Sequence, residues 1–265
     1  MKSSAVHAII NRASAFYVDA LATLDEANLD YLIGGTFAFS RYARIDRETK
    51  DLDVFVRPED CRRALALFDQ AGYRTEWPYP HWLAKVHHGP HFMDIIFSSG
   101  NGIARVDDGW FVHAIDADLF GYPVKLCPAE EMLWSKAFVQ ERERYDGADV
   151  AHLLRELGPS LDWDRLLARF GDHWRVLYAH LVLFGYIYPD RRGQIPTRVM
   201  KALARRLAAD RTERHADVCN GTLLSREQYL EDVKREGYRD ARLRPDGPMT
   251  QEEIDLWTTA IGEEH

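Results

Sequence analysis

Residues 31–56 constrain the fold more than any other part of the chain. Tyr31-Leu32-Ile33 is apolar but long enough only for a short strand, and it meets Gly34-Gly35-Thr36 before a run with helical spacing over 36–42. Glycines between an apolar run and a periodic run mark a tight strand-to-helix turn, where backbone can approach a ligand closely. The start of a helix collects N–H groups without intrahelical partners and the positive end of the dipole, so this bend suits a phosphate. A second strand follows at Asp51-Leu52-Asp53-Val54-Phe55-Val56. Alternation puts Asp51 and Asp53 on one face and sends Leu52 and Val54 into the core. Two adjacent acids repel, and a hard divalent cation with oxygen ligands relieves the repulsion.

A third acid sits in a similar setting. In Phe92-Met93-Asp94-Ile95-Ile96-Phe97 one carboxylate interrupts an apolar strand, where an unpaired charge is costly. It is either a functional group or a structural acid held by a nearby Arg or Lys. His81, His87, His88 and His91 lie close by and invite a zinc hydrolase reading. Against it, His87 and His88 are neighbours and point to opposite faces of a strand, and neither a Cys ligand nor an HExxH helix accompanies them.

The Gly34-Gly35-Thr36 turn and Asp51-Leu52-Asp53 strand, at this spacing, resemble the nucleotidyltransferase superfamily typified by DNA polymerase β. That resemblance implies an α/β (α+β) fold, a mixed sheet with flanking helices. It also implies transfer of a nucleoside monophosphate from an NTP to a hydroxyl acceptor, with release of pyrophosphate. Two Mg²⁺ ions would be held by Asp51, Asp53 and Asp94, with Asp94 also available as the base. Gly34, Gly35 and Thr36 would cradle the β and γ phosphates. A second block over 128–154, with Pro128, Glu131, Leu133, Lys136, Arg144, Asp146 and Asp149, resembles the helical part of AbiEii-type enzymes. It departs from their pattern by Tyr145 and by a longer gap after Lys136. The resemblance implies Lys136 as a cation for the triphosphate and Asp149 as a further catalytic residue. The residues alone leave other readings open: Lys136 snorkelling outward, and Asp146 with Asp149 as a capping box.

At 265 residues the chain accommodates two domains, expected here as 1–127, the α/β core, and 128–265, a mainly helical C-terminal region. A net charge of −8 argues against a general nucleic-acid binder and favours a cationic small-molecule acceptor over tRNA. Cys61, Cys127 and Cys219 are widely spaced and odd in number, so a reducing cytoplasm is expected, and no apolar run reaches membrane length. A non-catalytic nucleotide- or partner-binding protein on the same scaffold, such as a toxin-antitoxin component, is the rival; three retained acids count against it.

Along the chain, periodicity predicts helices over 4–27, 58–70 and 142–157, with another opening at 128, and strands over 73–76, 83–87 and 91–97 joined at His88-Gly89-Pro90. Trp77-Pro78-Tyr79-Pro80 reads as a loop, 98–108 as a loop, and 110–114 and 122–126 as closing strands with turns at 116–118 and around Gly121 and Pro123. An aromatic-rich helix pair broken near Gly171, a linker over 189–196, a basic helix over 198–211 and a last helix over 251–261 complete the chain.

Overall fold

The computed structural model describes residues 2–209 and 217–259, with side chains from residue 13 onward. The far ends of the helices expected over 198–211 and 251–261 lie outside the described residues. The chain divides into two compact units. Unit 1 comprises Met1–Ser40, Asp46–Gly100 and Arg105–Pro128; unit 2 comprises Arg41–Ile45, Asn101–Ala104 and Ala129–His265.

In unit 1 the order is α1 (Lys2–Glu26), β1 (Leu32–Ile33), α2 (Gly35–Ala43), β2 (Asp51–Phe55), α3 (Pro58–Gln70), β3 (Arg74–Tyr79), β4 (Leu83–His88), β5 (His91–Ile96), α4 (Asp108–Val112), β6 (Ile115–Leu119) and β7 (Tyr122–Leu126). The strands make one mixed sheet in the order β3-β4-β5-β2-β1-β7-β6. β2 and β5 run parallel, as do β1 and β7, and the remaining pairs are antiparallel. Leu32, Ile33, Leu52, Val54, Met93 and Ile95 are sealed within the sheet's core, where Leu21, Leu24 and Phe68 from α1 and α3 are also fully buried. Pro58 at the first position and Glu59 and Asp60 in the first turn start α3, which stops at Ala71 just before Gly72.

Three local expectations are corrected. β3 continues through Trp77-Pro78-Tyr79, because it is an edge strand: a proline there forfeits no ladder bond, and the pairing with β4 shifts register between Glu76 and Tyr79. Residues 108–112 form α4 instead of a strand. Asp107 caps that helix by accepting from the Gly109 N–H at 2.9 Å, and Trp110 packs on Phe55 with ring centroids 5.2 Å apart. Asp116 and Asp118 lie within β6, and the turn is Phe120-Gly121.

Unit 2 contains α5 (Ala129–Ala137), α6 (Gly147–Leu157), α7 (Trp163–Phe170), α8 (Trp174–Ile187), α9 (Thr197–Ala209), β8 (Val218–Cys219), α10 (Leu230–Arg235), β9 (Arg239–Asp240) and α11 (Gln251–Thr259). Its core gathers Leu133, Phe138, Leu153, Leu154, Leu166, Phe170, Leu177, Leu181 and Phe184, with Phe138 stacked on Phe170. Val182 of α8 is exposed. Among the described residues no helix is long and apolar enough to cross a membrane.

Candidate functional site

The sheet brings the three sequence-predicted acids of unit 1 onto one face. Along β2, Asp51, Asp53 and Phe55 are half-buried while Leu52 and Val54 are sealed beneath. β5 lies beside β2 with Asp94 level with Asp53. Residues in register on neighbouring strands share a face, so the Asp53 and Asp94 carboxylates stand on adjoining strands with Asp51 two residues away.

The diglycine bend touches this face directly. Gly34 N–H donates to the Asp53 carbonyl at 3.0 Å, and Ala38 N–H donates to the Gly34 carbonyl at 3.1 Å, which starts α2. Gly35 has φ +51°, and a Cβ built there would lie 1.5 Å from Asp53 Oδ2. The Asp53 carboxylate therefore fills the volume that a side chain at position 35 would need. Only glycine satisfies both the left-handed backbone and the contact. Thr36, half-buried, follows in the first turn of α2.

Each flanking acid has a defined partner. Thr49 Oγ1 donates to Asp51 Oδ1 at 2.9 Å. Lys85, level with Asp94 on β4, donates from Nζ to Asp94 Oδ1 at 2.8 Å. Burial pushes the Asp94 carboxyl above its ordinary range, Lys85 pulls it back, and the neighbouring Asp51 pushes it up again, with a net rise. Among the described residues no group of three or more His, Cys, Asp or Glu side chains stands as a cluster that could hold a metal ion. The donors nevertheless fit a hard cation chemically, since Asp51 and Asp53 offer carboxylate oxygens on one face beside Gly35. Asp94 is engaged by Lys85.

Two groups that sequence reasoning missed belong here. Lys85 is the cation that holds Asp94, and as a lone lysine in the apolar β4 it carried a signal. Tyr17 is buried on α1, and its hydroxyl lies 3.5 Å from the Lys50 carbonyl. Burial, then the charges of Asp51, Asp53 and Asp94, push its phenol up to about 12, so their fields reach it. Nothing in the spacing of α1 distinguished it.

Three of the histidines are engaged by other partners. His81 Nε2 is 3.0 Å from the Gly100 carbonyl, His87 Nε2 is 3.0 Å from Glu76, and His88 stacks on Phe16.

Lys136 and Asp149 belong to unit 2 and form a buried network there. Lys136 Nζ donates to Asp146 Oδ2 at 3.0 Å and to Asp149 Oδ2 at 2.8 Å, and Arg144 donates twice to Asp146 at 3.1 Å. The capping-box reading of Asp146 is corrected: it stands at the N-cap of α6, but its side chain makes no cap bond and is held by the two cations. Burial raises the Asp146 carboxyl, Lys136 and Arg144 pull it down, and the outcome is below the ordinary value. Deeper in the unit, Glu131 is fully buried between Arg165 and Arg169.

The sequence profile of the aminoglycoside-2''-adenylyltransferase family matches residues 17–124. Among solved structures, the chain is similar to the antibiotic-resistance factor ANT(2'')-Ia in solution, at 21% identity over 66% of this chain and 98% of that one, TM-score 0.43. It is also similar to the lincosamide antibiotic adenylyltransferase LnuA with lincomycin bound, at 14% identity over 53% and 94%, TM-score 0.37. A third is an antigenic nucleotidyltransferase-like protein from Paracoccidioides brasiliensis, at 15% identity over 64% and 92%, TM-score 0.36. No curated protein sequence matches the chain.

Proposed function

From the match of residues 17–124 to the aminoglycoside-2''-adenylyltransferase family, we propose that the protein transfers a nucleoside monophosphate, AMP by the name of the matching family, from an NTP to a hydroxyl of a small cationic acceptor. One observation carries the reading above the others: the Asp53 carboxylate lies against the Cα of Gly35 while Asp94 stands level with it on the next strand. A bend built for phosphates and a face of acids are thereby one place.

Asp51 and Asp53 would hold magnesium, and the bound ion would supply charge neutralisation and alignment of the triphosphate. The backbone N–H groups of Gly35 and Thr36 would meet the β and γ phosphates at the start of α2, while the Gly34 N–H is held by the Asp53 carbonyl and fixes the bend. Asp94 takes the proton of the attacking hydroxyl. Burial raises its proton affinity toward the useful range, and Lys85 keeps its carboxylate oriented. That bond favours the base role for Asp94 over that of a third ligand. The new bond forms between the acceptor oxygen and the α-phosphorus as pyrophosphate leaves. For Lys136 and Asp149, the triphosphate-side roles form a separate part of the proposal. Lys136 is already bonded to Asp146 and Asp149, so it reaches a phosphate only by exchanging one of them.

The name of the matching family points to an aminoglycoside hydroxyl, and the net charge of −8 suits such a polycation. The test is pyrophosphate release from each of the four NTPs with magnesium and a panel of aminoglycosides and lincosamides. Release that depends on both donor and acceptor, with AMP recovered on the acceptor by mass spectrometry, is the expected result. Silence with every donor across the panel and a cell extract would sink it.

A further inference from the structure

The turn between β6 and β7 is built against local preference. Leu119 pairs with Tyr122, leaving Phe120 and Gly121 as its two central residues, both at positive φ, +57° and +84°. Two-residue turns of this kind favour Asn-Gly or Asp-Gly, because a bulky L side chain is strained there. Burial does not offset that strain, for Phe120 is 47% exposed. Its ring leans on two others: it lies parallel to Tyr17 with centroids 6.4 Å apart, and edge-on to Phe37 at 5.5 Å.

Both neighbours lead to the acids. Phe37 stands two residues beyond Gly35, whose Cα abuts the Asp53 carboxylate. The Tyr17 hydroxyl reaches the Lys50 carbonyl, next to Asp51. Strained residues that persist against their own preference collect at ligand clamps. Resting on the transferase reading, we propose that Phe120, backed by Phe37 and Tyr17, is a shelf on which the base of the donor nucleoside triphosphate stacks. On this proposal the donor's phosphates would lie at the start of α2 and its base beside Phe37 and Phe120, since Phe37 is in the first turn of that helix. Every base has an aromatic face, so the shelf supplies affinity with weak choice among the four NTPs.

The test uses a substitution that suits the turn better than the native residue. Phe120→Asn removes the ring and places a favoured residue at positive φ, so Tm is expected not to fall. Calorimetric titration of the full chain with magnesium and α,β-methylene-ATP, a donor analogue that cannot be cleaved, should show Kd raised about tenfold in Phe120→Asn and nearly unchanged in Phe120→Tyr. Equal Kd in Phe120→Asn and the native protein overturns the shelf and leaves the transferase reading standing. A rise in acceptor KM with unchanged donor Kd also overturns it, since the ring would then serve the acceptor. A native protein that binds none of the four NTPs overturns the transferase reading and the shelf with it.

Discussion

Asp94 in unit 1 and Asp146 in unit 2 are both carboxylates of low exposure with a lysine amine at hydrogen-bond distance, 2.8 Å in one case and 3.0 Å in the other. Their proton affinities nevertheless move in opposite directions. Burial raises both. At Asp94 it prevails because Lys85 is countered by Asp51, whereas at Asp146 the joint pull of Lys136 and Arg144 wins. Unit 2 repeats the second pattern at Asp240, where burial is outweighed by Arg242. The difference is one of compensation: Asp146 and Asp240 have cations enough to outweigh burial, and Asp94 does not.

The largest effect that could break this comparison is on turnover. Asp53→Asn is expected to lower transfer by about 10³-fold, the scale of several kcal/mol of lost charge stabilisation, with the urea midpoint nearly native. Its counterpart, Lys136→Met, leaves Asp146 and Asp149 buried beside a lost cation and should cost about 3 kcal/mol of stability in urea unfolding. A stable Lys136→Met protein with a raised KM for the donor would instead mark Lys136 as a triphosphate ligand.

Gly35→Ala is next. The added methyl cannot share space with Asp53 Oδ2, so the carboxylate must move, and displacements near 1 Å cost about 10² in rate. The left-handed backbone adds about 1–2 kcal/mol of strain, which thermal unfolding would register. An Ala variant with full kcat would show that the position of Asp53 does not matter.

The smallest effect is in the pH dependence of stability. Asp146 has a folded pKa below its unfolded one, so its contribution is present above the ordinary carboxylate range and is lost as pH falls through the folded value. Asp94 has a raised folded pKa, so its contribution is present below the unfolded value and is lost as pH rises through the folded one. Urea midpoints at about pH 7 and about pH 3 should therefore show Asp146→Asn losing stability that fades in acid, and Asp94→Asn losing little at neutrality. The reverse order would erase the distinction between the two units.

Much of unit 1 was legible because its signals are local. The strand, diglycine turn and helix over 31–43 and the Asp-x-Asp strand need only alternation and helical spacing. The partner of Asp94 was missed, because it follows from strand register and not from local pattern: a two-residue turn at Gly89-Pro90 pairs His88 with His91 and thereby Lys85 with Asp94. Edge position is a property of the whole sheet, which is why Trp77-Pro78-Tyr79 read as a loop although it lies in β3. Residues 110–114 carried strand-like side chains, and the cap at Asp107 decided for a helix. Tyr17 could not be found at all, since only tertiary packing turns its hydroxyl toward acids more than thirty residues away. In unit 2 the same carboxylates that suggested chemistry proved to be partners of Lys136, because a chain position does not say which side chains meet.

The level placement of Asp53 and Asp94 has a consequence for assembly. Between the two strands the chain must complete a helix and two intervening strands, and a slip of one residue would turn Asp94 through to the underside of the sheet. A molecule that turns over substrate has therefore also been threaded correctly, so activity regained after dilution from urea would count correctly built molecules, a tally that helical signal alone could not provide.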